Sequence, residues 1–405
     1  MSVRRTMPAI VGNLFSNYET ALFGWTAPIL APLLFPGKGA LEALLFTYAL
    51  LPLSYLAKPI GAIFWGILGD KIGRRPVLIN TLLGGAVATV GMALLPVGPC
   101  MMAGFLFFKS LQKFCYAGEK KGAALYLLEH SKTHTYFWSS IYDACGIMGI
   151  FLAALAVQLF GQEYWRLLFL FGACVAFLGM WLRHQGVETP HFQPTRFSFA
   201  QLLQERRALF RLFFASGFSY LNYNLITVFL NGYLPLISKV TLDEALWINT
   251  HLLWLDVLFL IFFGWLSLKV NPRRLMQIAA LSIALFAMPL MGLLKDAGFY
   301  EVLLIRLFFI IMGVAFAAPY HAWAMECAPK GHRFLYGNLG ASLGGALLGS
   351  TAPLLAACLT SLVGHPFIIG APLLFIGLAA ACVIEEPRRF PLLSVVKLRV
   401  SSTKQ

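Results

Sequence analysis

The sequence predicts an all-α membrane protein with twelve transmembrane helices arranged as two six-helix pseudo-repeats. Three observations carry this expectation. Of 405 residues, 59% are hydrophobic and 12% charged, more apolar surface than one soluble core can hide, so the surplus faces lipid. Apolar runs near the ~20 residues that a span requires recur with little interruption from Pro8 to Ile384. The polar breaks between them alternate between strongly basic and nearly neutral.

Reading the runs against their breaks places helices at 8–35, 41–68, 77–95, 100–128, 135–161, 164–184, 208–238, 245–268, 275–294, 301–328, 332–361 and 365–384. One set of breaks holds Lys71, Arg74 and Arg75, then Lys132, then Arg183, Arg196, Arg206 and Arg207, then Lys269, Arg273 and Arg274, then Lys330 and Arg333. The other set holds little beyond Lys38, Lys239 and Lys295. Positive residues favour the cytoplasmic side, so both termini are expected there, in a cell inner membrane. The basic tail with Arg388, Arg389, Lys397 and Arg399 agrees. The longest polar break divides the chain into a first bundle over 1–184, a cytoplasmic linker over 185–207 with Pro190 and Pro194, a second bundle over 208–384 and a tail over 385–405. The second helix of each half ends in a basic turn, around Arg74 and around Arg273, which suggests an internal repeat; repeated halves around a midplane site are how many carriers alternate access.

Composition also excludes several classes. The net charge of +14 sits in short clusters between hydrophobic runs, as orientation signals do, and not in a nucleic-acid-binding stripe. Seven cysteines, mostly inside apolar runs and without ligand spacing, read as small core hydrophobes. No His-Glu-x-x-His, Gly-x-Ser-x-Gly or Walker pattern is present, so neither an enzyme, a metal, a cofactor nor direct ATP drive is expected. Arg4 and Arg5 look like the start of a signal peptide, but the following run is long and carries Asn13, Asn17 and Glu19, so it is expected to remain as the first helix.

Five segments carry a family resemblance. They are Gly12–Gly24, with Glu19 after the aromatic Tyr18; Lys58-Pro59-Ile60-Gly61 followed by Gly69-Asp70-Lys71-Ile72-Gly73-Arg74-Arg75; Gly118-Glu119 through Glu129-His130; Glu188-Thr189-Pro190-His191-Phe192; and Arg333 with Tyr336–Gly340 and Gly349–Pro353. They resemble the major facilitator superfamily, and within it the metabolite:proton symporters that include proline/betaine, 2-oxoglutarate, shikimate and citrate carriers. The resemblance implies that the loop with Gly69, Asp70, Gly73, Arg74 and Arg75 acts as a gating latch for an outward-open state. Asp70 suits that role chemically, since it can accept from a capping amide and from an arginine, and Gly69 and Gly73 permit a tight turn. The chain departs from the family pattern in ways that bear on substrate. Lys58 and Lys109 stand where arginine is usual, Lys113 where glycine is, and Lys120-Lys121 where tyrosine-glycine is; Glu19 replaces an aspartate and Asn17 an aromatic.

The fourth helix is the most informative stretch. Offsets of four, seven and eleven place Lys109, Lys113, Tyr116 and Lys120 within one narrow stripe. A lysine at a helix centre costs roughly 2.5–3.5 kcal/mol on insertion scales, so this stripe is expected to face water or acidic partners. Two readings stay open: the amines lock the first bundle by pairing with Glu19, Glu119 and Asp143, or they face a central cavity and attract an anion. Glu19, near the middle of its helix, is the leading proton-coupling candidate, with Glu119, Asp143 and Asp256 behind it. His251 and His321 titrate in a suitable range but are single histidines on apolar helices. Asn17, Tyr18, Asn222 and Tyr223 supply neutral donors and acceptors for a substrate, with Tyr220, Asn224 and Asn231 nearby, and Arg306 is a further carboxylate-binding or gating candidate.

The functional expectation is secondary active transport by a monomer in the bilayer, driven by protons, of a small organic anion such as a di- or tricarboxylate. The alternative within transport is a zwitterionic osmolyte such as proline or betaine, which needs an aromatic box for its quaternary ammonium. From another class, a non-transporting nutrient sensor remains open, although a sensor is expected to carry more signalling chain than the roughly twenty residues after Glu385.

Overall fold

The computed structural model describes residues 3–131, 133–184, 204–329 and 331–384. Lys132, Lys330, Arg196, most of the expected linker, the segment Glu188–Phe192 and the basic tail lie outside the described residues.

The described helices group into twelve rods. They are α1 (Val3–Leu34), α2 (Ala40–Tyr55 and Ala57–Ile72), α3 (Arg74–Leu94), α4 (Met101–His130), α5 (Thr135–Phe160) and α6 (Glu163–Trp181). After these come α7 (Arg206–Ile237), α8 (Leu242–Leu266), α9 (Pro272–Gly292), α10 (Phe299–Cys327), α11 (Arg333–Val363) and α12 (Pro366–Val383). Local chemistry sets several boundaries. Gly73, at φ 109°, makes the turn between α2 and α3 that a Cβ would strain. Thr241 and Glu244 form a capping box at the start of α8, and Asn271 followed by Pro272 caps α9. Gly364 ends α11 in the left-handed conformation. α5 and α6 form one continuous helical stretch bent at Tyr164.

Eight rods, α3, α5, α6 and α8 through α12, are long and apolar enough to cross a membrane by length and composition. The remaining four are the polar or interrupted ones. α1 carries Asn13, Asn17 and Glu19, α4 carries Lys109, Lys113, Glu119, Lys120 and Lys121, and α2 breaks beyond Pro52 into two short pieces. α7 passes through a π-helical turn at Asn224–Phe229, and α11 through another at Gly345–Gly349. Such wide turns displace the regular backbone ladder and often mark functional sites.

Phe23, Phe105 and Phe169 pack in the core of the first six helices, and Phe218, Phe309 and Phe316 in that of the last six. The two sets meet mainly on the face that bears the basic turns, here called the basic face. There the second piece of α2 packs on the start of α11, and α5 packs on α8 and on the end of α10. Phe334 of α11 is buried in the apolar cluster of Trp65 and Leu78, inside the first set. Glycines permit this approach: a Cβ on Gly69 would lie 2.6 Å from the Phe334 ring, and one on Gly264 would lie 1.7 Å from Ser140 Oγ.

Candidate functional site

Three groups of polar side chains lie between the helices, and each has a different partner set. The first is on the basic face. Asp70 Oδ1 accepts from the Phe334 N–H at 3.3 Å and Oδ2 from the Leu335 N–H at 3.0 Å, so a carboxylate of α2 caps the N-terminus of α11, where the helix dipole favours negative charge. Arg74 lies 3.8 Å from Asp70 and 3.3 Å from Glu129, all three side chains being nearly solvent-free. Arg75 donates to the His184 carbonyl. The corresponding turn of the second half is built differently. Arg273 pairs with Glu326 at 2.8 Å, and Glu326 accepts from the Tyr136 hydroxyl at 2.7 Å, across the two halves. Lys269 stands four residues before Arg273, where Asp70 stands four before Arg74, and it lies over the Trp265 ring at 3.9 Å.

The second group lines a cavity of about 150 Å³ between the halves. Lys120 and Lys121 of α4, Asp143 of α5, Asn222 and Tyr223 of α7 and Asp256 of α8 face it. Amines and tyrosine rings alternate along and beside this wall. Lys113 lies 4.3 Å from the Tyr55 ring, Lys58 lies 5.4 Å from Tyr55 and 5.0 Å from Tyr220, and Lys121 lies 4.3 Å from Tyr320. Each contact is a cation–π arrangement that holds the amine without neutralising it. Lys120 also reaches Asn17 Oδ1 at 3.4 Å, and the Asn17 amide is held by Asn13. Asn222 donates to the Phe309 carbonyl at 3.3 Å, while its own Oδ1 is buried without a hydrogen-bond partner among the described residues. Asp143 is hydrogen-bonded at 2.9 Å to His321 of α10.

The third group is enclosed within the first six helices. Glu19 is 0% exposed and accepts from the Tyr116 hydroxyl and from Thr89 Oγ1, the latter at 3.1 Å. Thr89 accepts from Gln112 at 2.8 Å, and Gln112 Oε1 accepts from Lys109 at 2.8 Å. Lys109, 1% exposed, also lies over the Phe23 ring at 5.2 Å. Glu119 is buried beside Thr81, which donates to it at 3.1 Å. The helical stripe of α4 is therefore divided by tertiary packing. Lys109 and Tyr116 turn to Glu19, Lys113 to Tyr55, and Lys120 to the inter-half cavity. Lys121, off the stripe, lines the cavity as well.

Other expected site residues stand apart from the cavity. Tyr18 is buried in the apolar core of the first half, edge-on to Phe171, and its hydroxyl has no partner among the described residues. Arg306 is 0% exposed and donates to the carbonyls of Ala245 at 3.2 Å and Ile226 at 3.0 Å and to Asn249 Oδ1 at 2.5 Å. The Ile226 carbonyl belongs to the π turn of α7. Asn224 donates to the Gly349 carbonyl and Asn231 to the Thr227 carbonyl, so both brace helices. His251 is exposed and stacks on Trp247. Tyr55, Tyr136 and Glu326 were not singled out from the sequence. A tyrosine or a loop carboxylate carries no distinguishing pattern until its inter-helix neighbours are known.

The fold agrees with that of known proteins. The family model described as Major Facilitator Superfamily matches residues 11–236. A putative proline/betaine transporter of Staphylococcus aureus (strain COL) is 27% identical over 387 residues, covering 88% of this chain and 82% of that protein. The proline/betaine transporter of Salmonella typhimurium is 30% identical over 199 residues, 46% of this chain and 40% of its own length. Among solved structures, the proton:xylose symporter XylE superposes with a TM-score of 0.78 at 16% identity, covering 94% of each chain. The human organic anion transporter TETRAN superposes with a TM-score of 0.72 at 14% identity, covering 94% of this chain and 99% of that one. With a family match over more than half its length and the same helical architecture throughout, this chain belongs to the Major Facilitator Superfamily.

Proposed function

We propose that the protein is a proton-coupled secondary transporter of a small carboxylate-bearing metabolite, working by alternating access. The observation that carries this reading is the wall of amines and tyrosine rings beside the inter-half cavity, Lys58, Lys113, Lys120 and Lys121 with Tyr55, Tyr220 and Tyr320. Cations at membrane depth are expensive, and a substrate carboxylate supplies counter-charge to them. Asn17, Asn222 and Tyr223 orient the rest of the molecule. Lys109, Tyr116 and Arg306 act from behind this wall by fixing the helices that carry it. The packing of the halves on the basic face makes this structure the member of the alternating pair that is closed there. The gating residues are Gly69, Asp70, Gly73, Arg74 and Arg75, and opening the face requires Asp70 to release α11. Glu19, Glu119, Asp143 and Asp256 are the carboxyls available for a coupled proton. In this reading the protein works as a monomer in a cell inner membrane, with both termini and the basic face cytoplasmic.

The carboxylate can belong to either of two solutes. Relatives named proline/betaine transporters support a zwitterion, whose cationic end would sit by Asp143 and Asp256. The geometry of the wall supports an organic anion, because the ring faces where a quaternary ammonium would rest already hold lysine amines. Uptake into proteoliposomes of radiolabelled proline, glycine betaine, 2-oxoglutarate and citrate tests both. One of the four is expected to accumulate against its gradient when the outside is acidified. Lys120→Gln is expected to weaken its transport about tenfold, a loss of roughly 1.4 kcal/mol, while a neutral amide analogue is unaffected. If none of the four moves, or if the analogue suffers equally, the amines serve packing alone and the reading fails.

A further inference from the structure

The hydrogen bond between Asp143 and His321 joins residues 178 positions apart and bridges the two halves beside the cavity. Two features build it. α10 is interrupted between Ala317 and Tyr320, at Pro319, whose ring supplies no N–H to the ladder. His321 thus falls in the first turn of a new helical segment, and its backbone N–H donates to Ser139 Oγ of α5 at 3.2 Å. The imidazole is then fixed edge-on between Tyr142 at 5.3 Å and Tyr320 at 5.4 Å, with Nε2 directed at Asp143. Backbone and side chain of one residue from the second half are both spent on α5 of the first.

We propose that the Asp143–His321 pair is a proton-dependent latch between the halves, released when Asp143 takes a proton as a substrate carboxylate occupies Lys120 and Lys121. This deepens the proton-coupling part of the proposed function and rests on it. The groups facing Asp143 are His321 and Tyr320 of α10, Lys120 and Lys121 of α4, Tyr220 of α7 and Asp256 of α8. A substrate anion draws the two amines away from Asp143, and a carboxylate that loses its counter-charges holds a proton more readily. An ionised Asp143 parted from its imidazole partner would be left bare in a site of low dielectric; a protonated Asp143 facing a neutral His321 separates without that penalty. Proton and substrate then cross together. Glu19 cannot perform this step alone, because Tyr116, Thr89 and Lys109 around it all belong to the first six helices.

The test reads the halves directly. Fluorophores introduced through unnatural amino acids at Thr133 and Val270, exposed positions on the basic face of the first and second half, report their separation in the purified protein. With proline or 2-oxoglutarate present, lowering the pH from about 8 to about 5.5 is expected to move the wild-type labels apart, and Asp143→Asn is expected to hold the wide distance at both, with or without solute. His321→Gln, which keeps a donor to Asp143, is expected to shift the midpoint of the transition. A wild-type separation that ignores pH, an Asp143→Asn protein that retains the response, or an unmoved midpoint in His321→Gln overturns the latch. In proteoliposomes with labelled proline and 2-oxoglutarate, Asp143→Asn is expected to lose accumulation about tenfold. Failure of the wild type to carry either probe removes the proposed substrate class, and the solute-free Asp143→Asn distance still decides the latch.

Discussion

The first six helices and the last six each bury a cation at a matching place, the third turn of their fourth helix, and treat it in opposite ways. Lys109 of α4 ends in a chain of side chains that includes the carboxyl of Glu19. Arg306 of α10 ends on two backbone carbonyls and an asparagine oxygen, with no carboxylate among its hydrogen-bond partners in the described residues. A lysine is a point charge that can give up its proton when buried, whereas an arginine stays charged and spreads its donors over several acceptors. The comparison assigns the halves different work. The first half holds a group of side chains whose charge can change, and the second uses a permanent charge to pin the π turn of α7 to the start of α8. The basic face repeats this asymmetry: Asp70 caps a helix of the other half, while Lys269 occupies its counterpart and leaves the second clamp to Glu326 and Tyr136.

Four single substitutions, one of them repeated in a double variant, break or sharpen this contrast. The largest effect is expected for Lys109→Met, which takes the amine donor from Gln112 Oε1 and a nearby cation from Glu19 and lowers stability by about 3 kcal/mol, read as unfolding of the purified protein in detergent. Adding Glu19→Gln is expected to recover most of that loss. Additive single effects would show that the two residues do not interact. Arg306→Lys follows, at roughly 2–3 kcal/mol, because one ammonium cannot reach acceptors on two helices at once. No change at a carboxylate is expected to rescue it; rescue would dissolve the distinction between the halves. Asp70→Asn comes third, at about 1–3 kcal/mol, since the amide offers a single acceptor oxygen to two backbone donors and no charge to Arg74. The Thr133 and Val270 labels are expected to report a larger share of protein open on the basic face. Glu326→Gln is the smallest, under about 1 kcal/mol, because its pair with Arg273 is partly solvated. A Glu326 effect equal to that of Asp70 would make the two clamps equivalent.

Much of the fold is legible in the chain, because lipid imposes a requirement that local composition reveals. The expected starts and ends of the rods fall within a few residues of those observed for most helices; α1 starts earlier, at Val3, and α2 runs on to Ile72. The two π turns leave no such mark. Asn224–Phe229 and Gly345–Gly349 read as ordinary apolar helix, and the widening shows only where Arg306 and Asn224 take up carbonyls within those turns. The site is legible in kind and not in grouping. Helical periodicity puts Lys109, Lys113, Tyr116 and Lys120 on one stripe, which invites a single chamber, yet neighbouring helices distribute them among three environments. Periodicity fixes the direction in which a side chain leaves its own helix and says nothing of what stands opposite.

The sequence by itself determined that this protein spans a membrane in two comparable halves and sets lysines and carboxyls within its apolar runs, because hydropathy and charge are properties of each residue wherever it lies. Only the tertiary structure decided that Asp143 meets His321, that Glu19 is enclosed in one half and that Arg306 is held by neutral acceptors. Those outcomes depend on which helices become neighbours, and contacts between residues 57 to 178 positions apart are set by packing that no local pattern encodes.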